Sequence, residues 1–435
     1  MTVLPSQDSV DVHVSTTLSL LDRIFSGAGI QDFSVRLWDG THWRPTGSRS
    51  SLFTLVLRHP GALRRMFWKA SETRLGEAYI FGDFDVEGDF ESVLTLGYQL
   101  IKERQTSTWE KLDVGRQLLR LPADGPKYLA ERAPDLEGTE HSAGRDRKAV
   151  TYHYDVSNDF YKTWLDKRMI YSCAYFTTPE EDLDTAQRRK LDHICRKLRL
   201  KPGEKLLDIG CGWGGLILHA AQHYGVEATG ITLSEAQAEE ANQRIAAAGL
   251  SQRCRAELRD YRALQTEGQF DKVVSVGMVE HVGREQLPAY FGQAWGVLRP
   301  GGVFLSHGIG DTSMRPTKVK NEGFIRKYVF PDSDLPPLTK IVEEAEAARF
   351  EVRDVENLRE HYTMTLRHWV RRLENNKASA REHVDETTYR LWRAYMSGCA
   401  WWFRAGFIGL YQVVMVKQNE EGASSLPLTR DDWYN

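Results

Sequence analysis

The sequence predicts an α/β fold, in which helices cover a mostly parallel β-sheet, together with a smaller α+β domain at the N-terminus. Three observations support this prediction. Strand and helix patterns alternate from about residue 150 onward, a glycine-rich turn joins the first clear strand of that region to its helix, and the residues before it show shorter, mixed patterns. The chain has 435 residues, which suits two domains.

Residues 1–122 are predicted to form the smaller, lipid- or membrane-associating domain. Residues 33–38 and 52–57 have strand patterns, and residues 60–69 begin with a proline and continue as a helix with one apolar face. The same helix carries three basic residues, as do helices that lie on a membrane surface. An ordinary amphipathic helix of a small domain explains this pattern as well.

The boundary between the domains is predicted from composition. Residues 123–148 are polar and contain several glycines and prolines, which is typical of an interdomain linker. Residues 149–435 are therefore expected to form the larger domain.

Within the larger domain, apolar runs of strand length alternate with helical patterns. The predicted strands are residues 205–209, 226–233, 254–258, 270–276 and 303–307, and the predicted helices are residues 213–223, 234–248 and 284–298. A late strand at residues 413–417 is predicted to be antiparallel and to lie at the sheet edge. Such alternation is typical of a parallel sheet with helices on both faces.

Composition excludes several partners and sites. The formal net charge is only −3, so no overall field favours nucleic acid or anionic lipid, and attraction to a membrane must come from a local patch. We expect no nucleic-acid partner. The five cysteines are scattered and include no CxxC pair, which predicts a reducing cytosol, no disulfide framework and no metal site.

The sequence shows neither a signal-peptide pattern at its N-terminus nor an apolar run of about 18 residues that would span a bilayer. We therefore expect a cytoplasmic protein. A lipid substrate would have to be reached from the inner surface of the membrane.

The glycine-rich turn is the most informative local pattern. Asp208 lies in a strand that ends in Gly210, Gly212 and Gly214 and leads into a helix. Glycines permit positive φ angles and close approach of a ligand to the backbone, and the helix N-terminus offers free N–H groups. The pattern differs from the dinucleotide fingerprint. It resembles the first motif of the Rossmann-like S-adenosylmethionine methyltransferases, in which this turn holds the methionine part of the cofactor.

Further cofactor contacts are expected after the second and third strands. Most of that superfamily has an acidic residue after the second strand, whereas this chain has Thr232, Ser234 and Gln237 in that region. Ser234 and Gln237 also form an S-x-x-Q capping box, so helix capping alone would explain them. Asp260 and Tyr261 follow the third strand where adenine would lie, although Asp260 also suits a simple turn.

Seven short motifs outside the turn narrow the family. They are residues 152–161, 169–176, 275–283, 304–307, 325–331, 361–366 and 399–404. Together they resemble the cyclopropane-fatty-acyl-phospholipid synthases and the mycolic acid cyclopropane synthases. Residues 75–79 and 82–88 are similar to the accessory domain of the phospholipid-acting members.

This resemblance implies several properties. It implies a mostly parallel seven-stranded sheet with the methyltransferase fold, S-adenosylmethionine as cofactor with Tyr171 and Ser172 among its contacts, and unsaturated phospholipid acyl chains at the membrane surface as substrate. It also implies a homodimer.

The resemblance also implies a set of catalytic residues. In the family, a bound bicarbonate removes a proton from the newly transferred methyl group so that the ring closes. By motif, the bicarbonate would be held by Glu280, His307, Tyr362 and the main chain of Cys173, with Cys399 matching a further active-site cysteine. An anion survives beside an apolar pocket when its charge is hydrogen-bonded. Taken alone, His307 could be a core histidine, Tyr362 a packing residue and Cys399 a small buried thiol.

An alkene is a weak nucleophile, and methyl transfer to it leaves a carbocation. Aromatic faces stabilise such a charge. The candidate rings are Tyr175, Phe176, Trp401, Trp402 and Phe403, although at least half of these are expected to be ordinary core residues.

Three alternatives stay open from the sequence. The same methyl transfer could give a methylene- or methyl-branched chain, the protein could methylate nitrogen or oxygen of a small molecule, or it could be a lipid-binding protein without catalysis.

Overall fold

The computed structural model describes residues 12–25, 31–48, 50–100, 108–126, 136–154, 156–264, 268–312, 323–424 and 426–434. The chain divides into two compact units. Unit 1 comprises Met1–Arg132, Glu322–Phe324 and Asp385–Trp401, and unit 2 comprises Ala133–Asn321, Ile325–Val384 and Trp402–Asn435.

Unit 1 contains a small four-stranded sheet and short helices. Its strands are β1 (Phe33–Arg36), β2 (His42–Trp43), β3 (Phe53–Leu57) and β4 (Phe84–Gly88), in the order β2-β1-β3-β4. Its first five helices are α1 (Val12–Phe25), α2 (Ala62–Phe67), α3 (Glu72–Ile80), α4 (Phe90–Tyr98) and α5 (Thr108–Leu118). β1 and β3 are parallel and the other pairs are antiparallel, so this is the predicted α+β domain.

Unit 2 is built on a seven-stranded sheet. Its strands are β5 (Lys205–Ile209), β6 (Glu227–Thr232), β7 (Cys254–Leu258), β8 (Phe270–Val276), β9 (Leu298–Asp311), β10 (Glu351–Asn357) and β11 (Ile408–Val416), in the order β10-β11-β9-β8-β5-β6-β7. Only β11 runs against the others: it pairs antiparallel with both β9 and β10. The predicted mostly parallel α/β sheet is confirmed.

The helices of this part of the chain connect and cover the strands. They are α6 (Ala143–Tyr154), α7 (Asn158–Lys162), α8 (Leu183–Leu198), α9 (Gly215–Tyr224), α10 (Glu235–Ala247), α11 (Val279–Val282), α12 (Leu287–Val297), α13 (Phe324–Tyr328), α14 (Leu338–Ala347), α15 (Arg359–Asn375), α16 (Lys377–His383), α17 (Glu386–Ala405) and α18 (Asp431–Tyr434). Most of α17 belongs to unit 1 and its last turn to unit 2.

Local signals in the sequence account for where these helices begin. The Asp182 carboxylate accepts a hydrogen bond from the backbone N–H of Thr185 at the start of α8, and the Ser234 hydroxyl accepts one from that of Gln237 at the start of α10. Side-chain oxygens at these positions satisfy N–H groups that have no partner within the helix. The capping box predicted at Ser234 therefore acts as a cap.

Two apolar layers hold the central sheet. One layer packs side chains of α8 and α9 against one face, and the other packs α12 and α14 against the opposite face. Strand β11 is buried at every position, which explains its almost uninterrupted apolar sequence. Burial on both faces leaves the strand ends as the places where polar groups can gather around a ligand.

The predicted position of the last strand was wrong. β11 is antiparallel as expected, but it lies between β9 and β10, and the edge strand is β10. The sequence of β10 is EVRDVEN, and charged residues of this kind are typical of edge strands. The sequence analysis did not predict β10, because its apolar pattern is weak, whereas the apolar run of β11 gave a clear strand pattern.

The predicted domain boundaries differ from the observed division. Helix α6 begins at Ala143, inside the segment predicted as linker, and residues 127–135 of that segment lie outside the described residues. Residues 385–401, predicted to belong to the larger domain, group with unit 1. Composition cannot show that a helix late in the chain packs with the N-terminal unit, because an amphipathic helix has the same sequence pattern whichever unit it packs against.

In the part of the chain that the structure describes, no helix has both the length and the apolar character required to cross a bilayer. Over the same residues, no cluster of histidine, cysteine and carboxylate side chains could hold a metal ion. All five cysteines are free.

Candidate active site

The glycine-rich turn follows β5 and opens α9. Gly210, Gly212 and Gly214 all have positive φ angles, at 87°, 53° and 76°. A Cβ on Gly210 would lie 2.5 Å from Cγ of Met278, whereas one on Gly212 would have no heavy atom within 4 Å. The turn therefore packs closely against its neighbour at Gly210 and presents open space at Gly212. Glycine is required for different reasons at these two positions.

A cavity lies beside this turn, at the carboxyl ends of the parallel strands. Eight of the predicted cofactor residues line it, namely Tyr171, Ser172, Asp208, Gly210, Gly212, Thr232, Gln237 and Tyr261. These residues come from four separate stretches of the chain. The position matches the usual ligand crevice of an open α/β sheet.

The other three predicted cofactor residues support the walls and do not line the cavity. Gly214 packs against α10, where an added Cβ would lie 2.9 Å from that of Ala241. Ser234 caps α10 from a fully buried position. Asp260 caps the short 3-10 helix that carries Tyr261. Capping, the simpler explanation for Ser234, is what the structure shows.

Asp208 is buried at the inner wall of the cavity, and its Oδ1 atom has no hydrogen-bond partner. Burial raises its pKa to about 7, against the opposing charge of Lys190. A buried carboxylate oxygen with no partner is costly unless a ligand supplies a donor. Asp208 can therefore accept a hydrogen bond from a cationic group in the cavity.

Lys190 is a functional candidate that the sequence analysis missed. It lines the same cavity from α8, is 2% exposed, and donates to the Ser172 hydroxyl at 2.9 Å. Burial lowers its pKa to about 8. The signal was present in the sequence, because Lys190 falls on the buried face of α8 between Gln187 and Leu191.

The sequence analysis also missed two charged residues near Tyr261, Arg262 and Asp146. Arg262 forms two hydrogen bonds with the Asp260 carboxylate, at 2.9 and 2.7 Å, and an ion pair with Asp146 at 3.0 Å. Arg262 and Asp146 both line the cavity, and Asp146 comes from α6. Helix α6 therefore contributes to the cavity wall, a role that its assignment to a linker concealed.

Glu280 and His307 lie on segments that adjoin this cavity. Glu280 is in α11 directly after β8, and His307 lies on β9 opposite Val276. A Cβ on Gly308, the residue after His307, would lie 3.0 Å from Glu280 Oε2, so this carboxylate oxygen lies over the backbone of β9 at Gly308. The backbone N–H of Gly277, a cavity-lining residue, donates to the carbonyl of His307 at 2.8 Å.

Both side chains present a buried atom without a partner. Oε2 of Glu280 and Nε2 of His307 have no hydrogen-bond partner, although the residues are only 6% and 1% exposed. Burial raises the pKa of Glu280 to about 7, while backbone N–H groups, including that of Ile309, lower it. Burial also lowers the pKa of His307 well below its usual range, so its imidazole is neutral. Each side chain therefore has a polar atom available to a small polar ligand, a carboxylate oxygen of Glu280 and a ring nitrogen of His307.

Cys173 and Tyr362 are brought together by the start of α15. The backbone N–H of Tyr362 donates to the carbonyl of Leu358, which also accepts from the Cys173 thiol at 3.9 Å. The next residue in the loop, Ala174, donates its N–H to the Thr365 hydroxyl at 3.0 Å. The loop that carries Cys173 is therefore fixed on the helix that carries Tyr362.

A series of aromatic rings links Tyr362 to the cavity. The ring of Tyr171, which lines the cavity, lies 5.2 Å from that of Trp369, and Trp369 lies 6.0 Å from Tyr362. Phe403 packs on Tyr362 at 4.7 Å. Phe403, one of the rings predicted to stabilise positive charge, therefore contacts a predicted catalytic residue.

Cys399 lies on the part of α17 that belongs to unit 1, whereas the other four predicted catalytic residues belong to unit 2. Burial raises the pKa of its thiol to about 12. A thiol with such a pKa is protonated at neutral pH and is not a nucleophile.

Residues 141–413 match the mycolic acid cyclopropane synthetase family. The chain belongs to this family. Residues 20–108 match a domain of unknown function. The match to the cyclopropane synthases covers the glycine turn, Glu280, His307 and Tyr362.

Two curated relatives show how far the similarity extends. A probable fatty acid methyltransferase of Pseudomonas putida is 40% identical over 402 residues, which cover 92% of this chain and 95% of that protein. The cyclopropane-fatty-acyl-phospholipid synthase of Escherichia coli K12 is 39% identical over 62% of this chain and 68% of its own length.

Among solved structures, a mycolic acid cyclopropane synthase, CmaA1, in complex with SAH and CTAB is 35% identical, with a TM-score of 0.59 over 62% of this chain and 97% of that chain. The family and this structure identify the protein as an S-adenosylmethionine-dependent methyltransferase of the cyclopropane synthase family, and they confirm the predicted fold.

Proposed function

We propose that the protein methylates the cis double bonds of unsaturated phospholipid acyl chains and closes the product to a cyclopropane fatty acid. One observation carries the proposal: Glu280 and His307, on segments that adjoin the cofactor cavity, each present a buried polar atom without a partner. A methyl donor and a proton acceptor can therefore lie on neighbouring sides of one site.

The residues that line the cavity fit the cofactor. When bound, S-adenosylmethionine supplies an electrophilic methyl group on a sulfonium. Its amino acid part carries an ammonium and a carboxylate, for which Asp208 and Lys190 offer charges of the opposite sign in one wall. Gly212 leaves room for the ligand beside the backbone.

We propose that Glu280, His307, Tyr362 and the main chain of Cys173 hold a bicarbonate ion, which would supply a base for the proton of the transferred methyl group. Glu280 Oε2 can accept from the bicarbonate hydroxyl, and His307 can donate to a bicarbonate oxygen if its proton is on Nε2. Hydrogen bonds to every oxygen would offset the cost of burying the anion.

The aromatic rings beside Tyr362 suit a substrate that becomes positively charged. The rings of Tyr171, Trp369, Tyr362 and Phe403 pack against one another in succession and form an apolar, electron-rich cluster. Each ring that faces a cation contributes roughly 0.5–2 kcal/mol. Such a cluster favours an acyl chain as substrate over a polar small molecule, because a polar substrate would need charged or hydrogen-bonding partners.

A methyl- or methylene-branched product is the second candidate. It is favoured by the relative from Pseudomonas putida that covers 92% of the chain, which is named a probable fatty acid methyltransferase. Both products share the methyl transfer and differ in which proton is then lost. The unpartnered polar atoms of Glu280 and His307 favour removal of a proton from the newly transferred methyl group, which would close the ring.

We also propose that the protein binds the inner face of the membrane through helix α5. Trp109, Leu112 and Leu119 are 79%, 49% and 52% exposed and share one face with the exposed Arg116; Arg120 is also exposed. Exposed apolar side chains bordered by arginines are typical of helices that lie on anionic lipid surfaces. A homodimer, implied by the family resemblance, is a further proposal that sedimentation of the purified chain would test.

The decisive experiment is incubation with vesicles of a monounsaturated phospholipid, methyl-labelled S-adenosylmethionine and bicarbonate, followed by mild hydrogenation and mass analysis of the acyl chains. We expect a product one methylene heavier that resists hydrogenation. A product that takes up hydrogen would establish a methylene branch. Label transfer to a small amine or alcohol, with none to lipid, would exclude lipid methylation altogether.

A further inference from the structure

A buried row of polar side chains crosses three neighbouring strands behind His307. Glu356 on β10 lies opposite Gln412 on β11, and Gln412 lies opposite His307 on β9. Directly opposed residues in antiparallel strands place their side chains on the same face of the sheet. Gln412 is fully buried and is the only polar residue of β11, so it occupies a position where the rest of the strand is apolar.

Helix α8 adds a cation to this row. Lys197, also fully buried, contacts Glu356 and donates to Oε1 of Gln412 at 2.8 Å. His193 contacts the same Glu356 oxygen at 2.8 Å. Burial opposes ionisation of Glu356, but the hydrogen bond from His193 and the charge of Lys197 outweigh it and lower its pKa to about 2. The anion and the cation therefore persist together inside the protein.

The charge of Lys197 fixes the direction of every hydrogen bond in the row. An ammonium group can only donate, so the amide atom of Gln412 that faces Lys197 must be its oxygen. The amide nitrogen then faces Nδ1 of His307, at 3.1 Å. Because that nitrogen is a donor, Nδ1 must accept. A neutral imidazole carries one proton, which is therefore on Nε2, the atom without a partner.

We propose that Lys197 and Gln412 are positioning residues, which hold His307 in the Nε2–H tautomer so that it donates into the active site. The inference rests on the proposed function in one respect: the acceptor for this N–H would be the bicarbonate oxygen. Neither Lys197 nor Gln412 touches the reacting atoms. They act through His307, as the carboxylates and carbonyls that orient ligating histidines do in metal sites.

Stability alone does not explain the row. An apolar residue at position 412 would suit the surrounding strand, and replacing buried ion pairs with apolar side chains is often neutral or stabilising. A donor tautomer of His307 has a use only if an acceptor binds at Nε2. The row fixes Nδ1 as an acceptor, and Nε2 on the other side of the ring has no partner. Both observations therefore support a role for the Nε2–H group as a donor to a ligand.

The test measures the tautomer directly, in protein with 15N-labelled histidine and without substrate. The His307 signals are identified by their loss in His307→Gln. We expect the wild-type spectrum to show a protonated Nε2 and an unprotonated Nδ1. Gln412→Glu should invert this pattern, because the carboxylate would accept from both Lys197 and His307 Nδ1. Gln412→Met should leave a mixture of tautomers.

Activity provides the second readout. In Gln412→Met we expect the half-saturating bicarbonate concentration to rise about tenfold, as for loss of one charge-assisted hydrogen bond, while the dissociation constant of S-adenosylmethionine changes less than twofold. Gln418→Met is the matched control, because Gln418 is exposed and its amide bonds Glu351 beyond the end of β11.

A wild-type Nδ1–H tautomer would overturn the proposal, and so would an Nε2–H form that persists in Gln412→Glu. An unchanged bicarbonate dependence in Gln412→Met would also overturn it. The wild-type spectrum requires no variant to fold. If wild type shows the expected tautomer but bicarbonate has no effect on its activity, the anion site of the proposed function fails and the tautomer assignment stands.

Discussion

Three ionisable side chains around the site are buried without the compensation that ordinary core residues have. Asp208 and Glu280 each keep a carboxylate oxygen without a partner, and Lys190 has the Ser172 hydroxyl as its hydrogen-bond acceptor. Burial moves all three pKa values toward neutrality, to about 7, 7 and 8. Shifts of this kind cluster at functional sites, where the missing partner is the ligand.

Glu280→Gln should abolish most activity and stabilise the fold at high pH. The folded pKa of Glu280, about 7, is above the 4.5 of an exposed glutamate. The folded state thus holds the proton more tightly, so wild-type stability is fully present below about pH 4.5 and falls as pH rises through 7. Glutamine does not ionise, so the variant does not lose stability in this way as the pH rises.

Relative to wild type, we therefore expect the free energy of unfolding of Glu280→Gln to increase by about 2 kcal/mol between pH 5 and pH 8. Urea titrations at both pH values measure it. Turnover should fall at least about 100-fold, with cofactor affinity nearly unchanged. The exposed Glu285→Gln is the control. Normal turnover in Glu280→Gln would remove this residue from the anion site.

Cofactor affinity should depend on the ionisation of Asp208. Its carboxylate can accept from the cofactor ammonium only when deprotonated, so affinity should decrease as the pH falls below about 7. Asp208→Asn should bind more weakly at pH 8 and lose this pH dependence. Calorimetric titration between pH 6 and pH 8 measures both effects, with the exposed Asp159→Asn as control. A pH dependence that persists in Asp208→Asn would point to another group.

At the scale of secondary-structure elements, the glycine turn separates two roles that the sequence pattern merges. Gly212 and Gly214 both have positive φ angles, so alanine at either position costs about 1–2 kcal/mol. Only Gly214 also packs against Ala241 of α10, and only Gly212 lines the cavity. The same substitution should therefore have different effects at the two positions.

Gly214→Ala should lower the free energy of unfolding more than Gly212→Ala does, because the added methyl group overlaps α10. Gly212→Ala should instead weaken S-adenosylmethionine binding by tenfold or more, because its methyl group occupies ligand space. Urea denaturation and calorimetry on both variants test this. Equal losses of stability and affinity in the two variants would show that the turn acts only as a structural unit.

At the scale of the whole molecule, the two units interleave along the chain. Residues 385–401 belong to unit 1, where Arg390 ion-pairs with Asp85 and donates to the carbonyl of Tyr79. Deleting the N-terminal 120 residues would remove these partners of the buried Arg390 and leave it with Glu386 on its own helix. A deletion therefore cannot separate membrane binding from folding, and surface substitutions are needed.

Replacing Trp109, Leu112 and Leu119 together with serine should reduce flotation with anionic vesicles at least about tenfold, because the loss of buried apolar area amounts to several kcal/mol. Activity on vesicles should fall in parallel, while the affinity for S-adenosylmethionine is unchanged. Leu258→Ser and Leu428→Ser, at exposed positions of unit 2, are the controls. Undiminished flotation would exclude this face of α5 as the membrane contact.

The sequence by itself determined the α/β class, most of the strands and the cofactor turn, because periodicity, glycine and local motifs are properties of short segments. The roles of Glu280, His307 and Tyr362 are predictions from the resemblance of such motifs. Tertiary structure alone decided that β11 lies inside the sheet, that residues 385–401 join unit 1, that Lys190 lines the cavity, and that Lys197 and Gln412 form the row behind His307. Those positions depend on which distant segments pack together, and a buried lysine or glutamine has the same local signature as an exposed one until its neighbours are known.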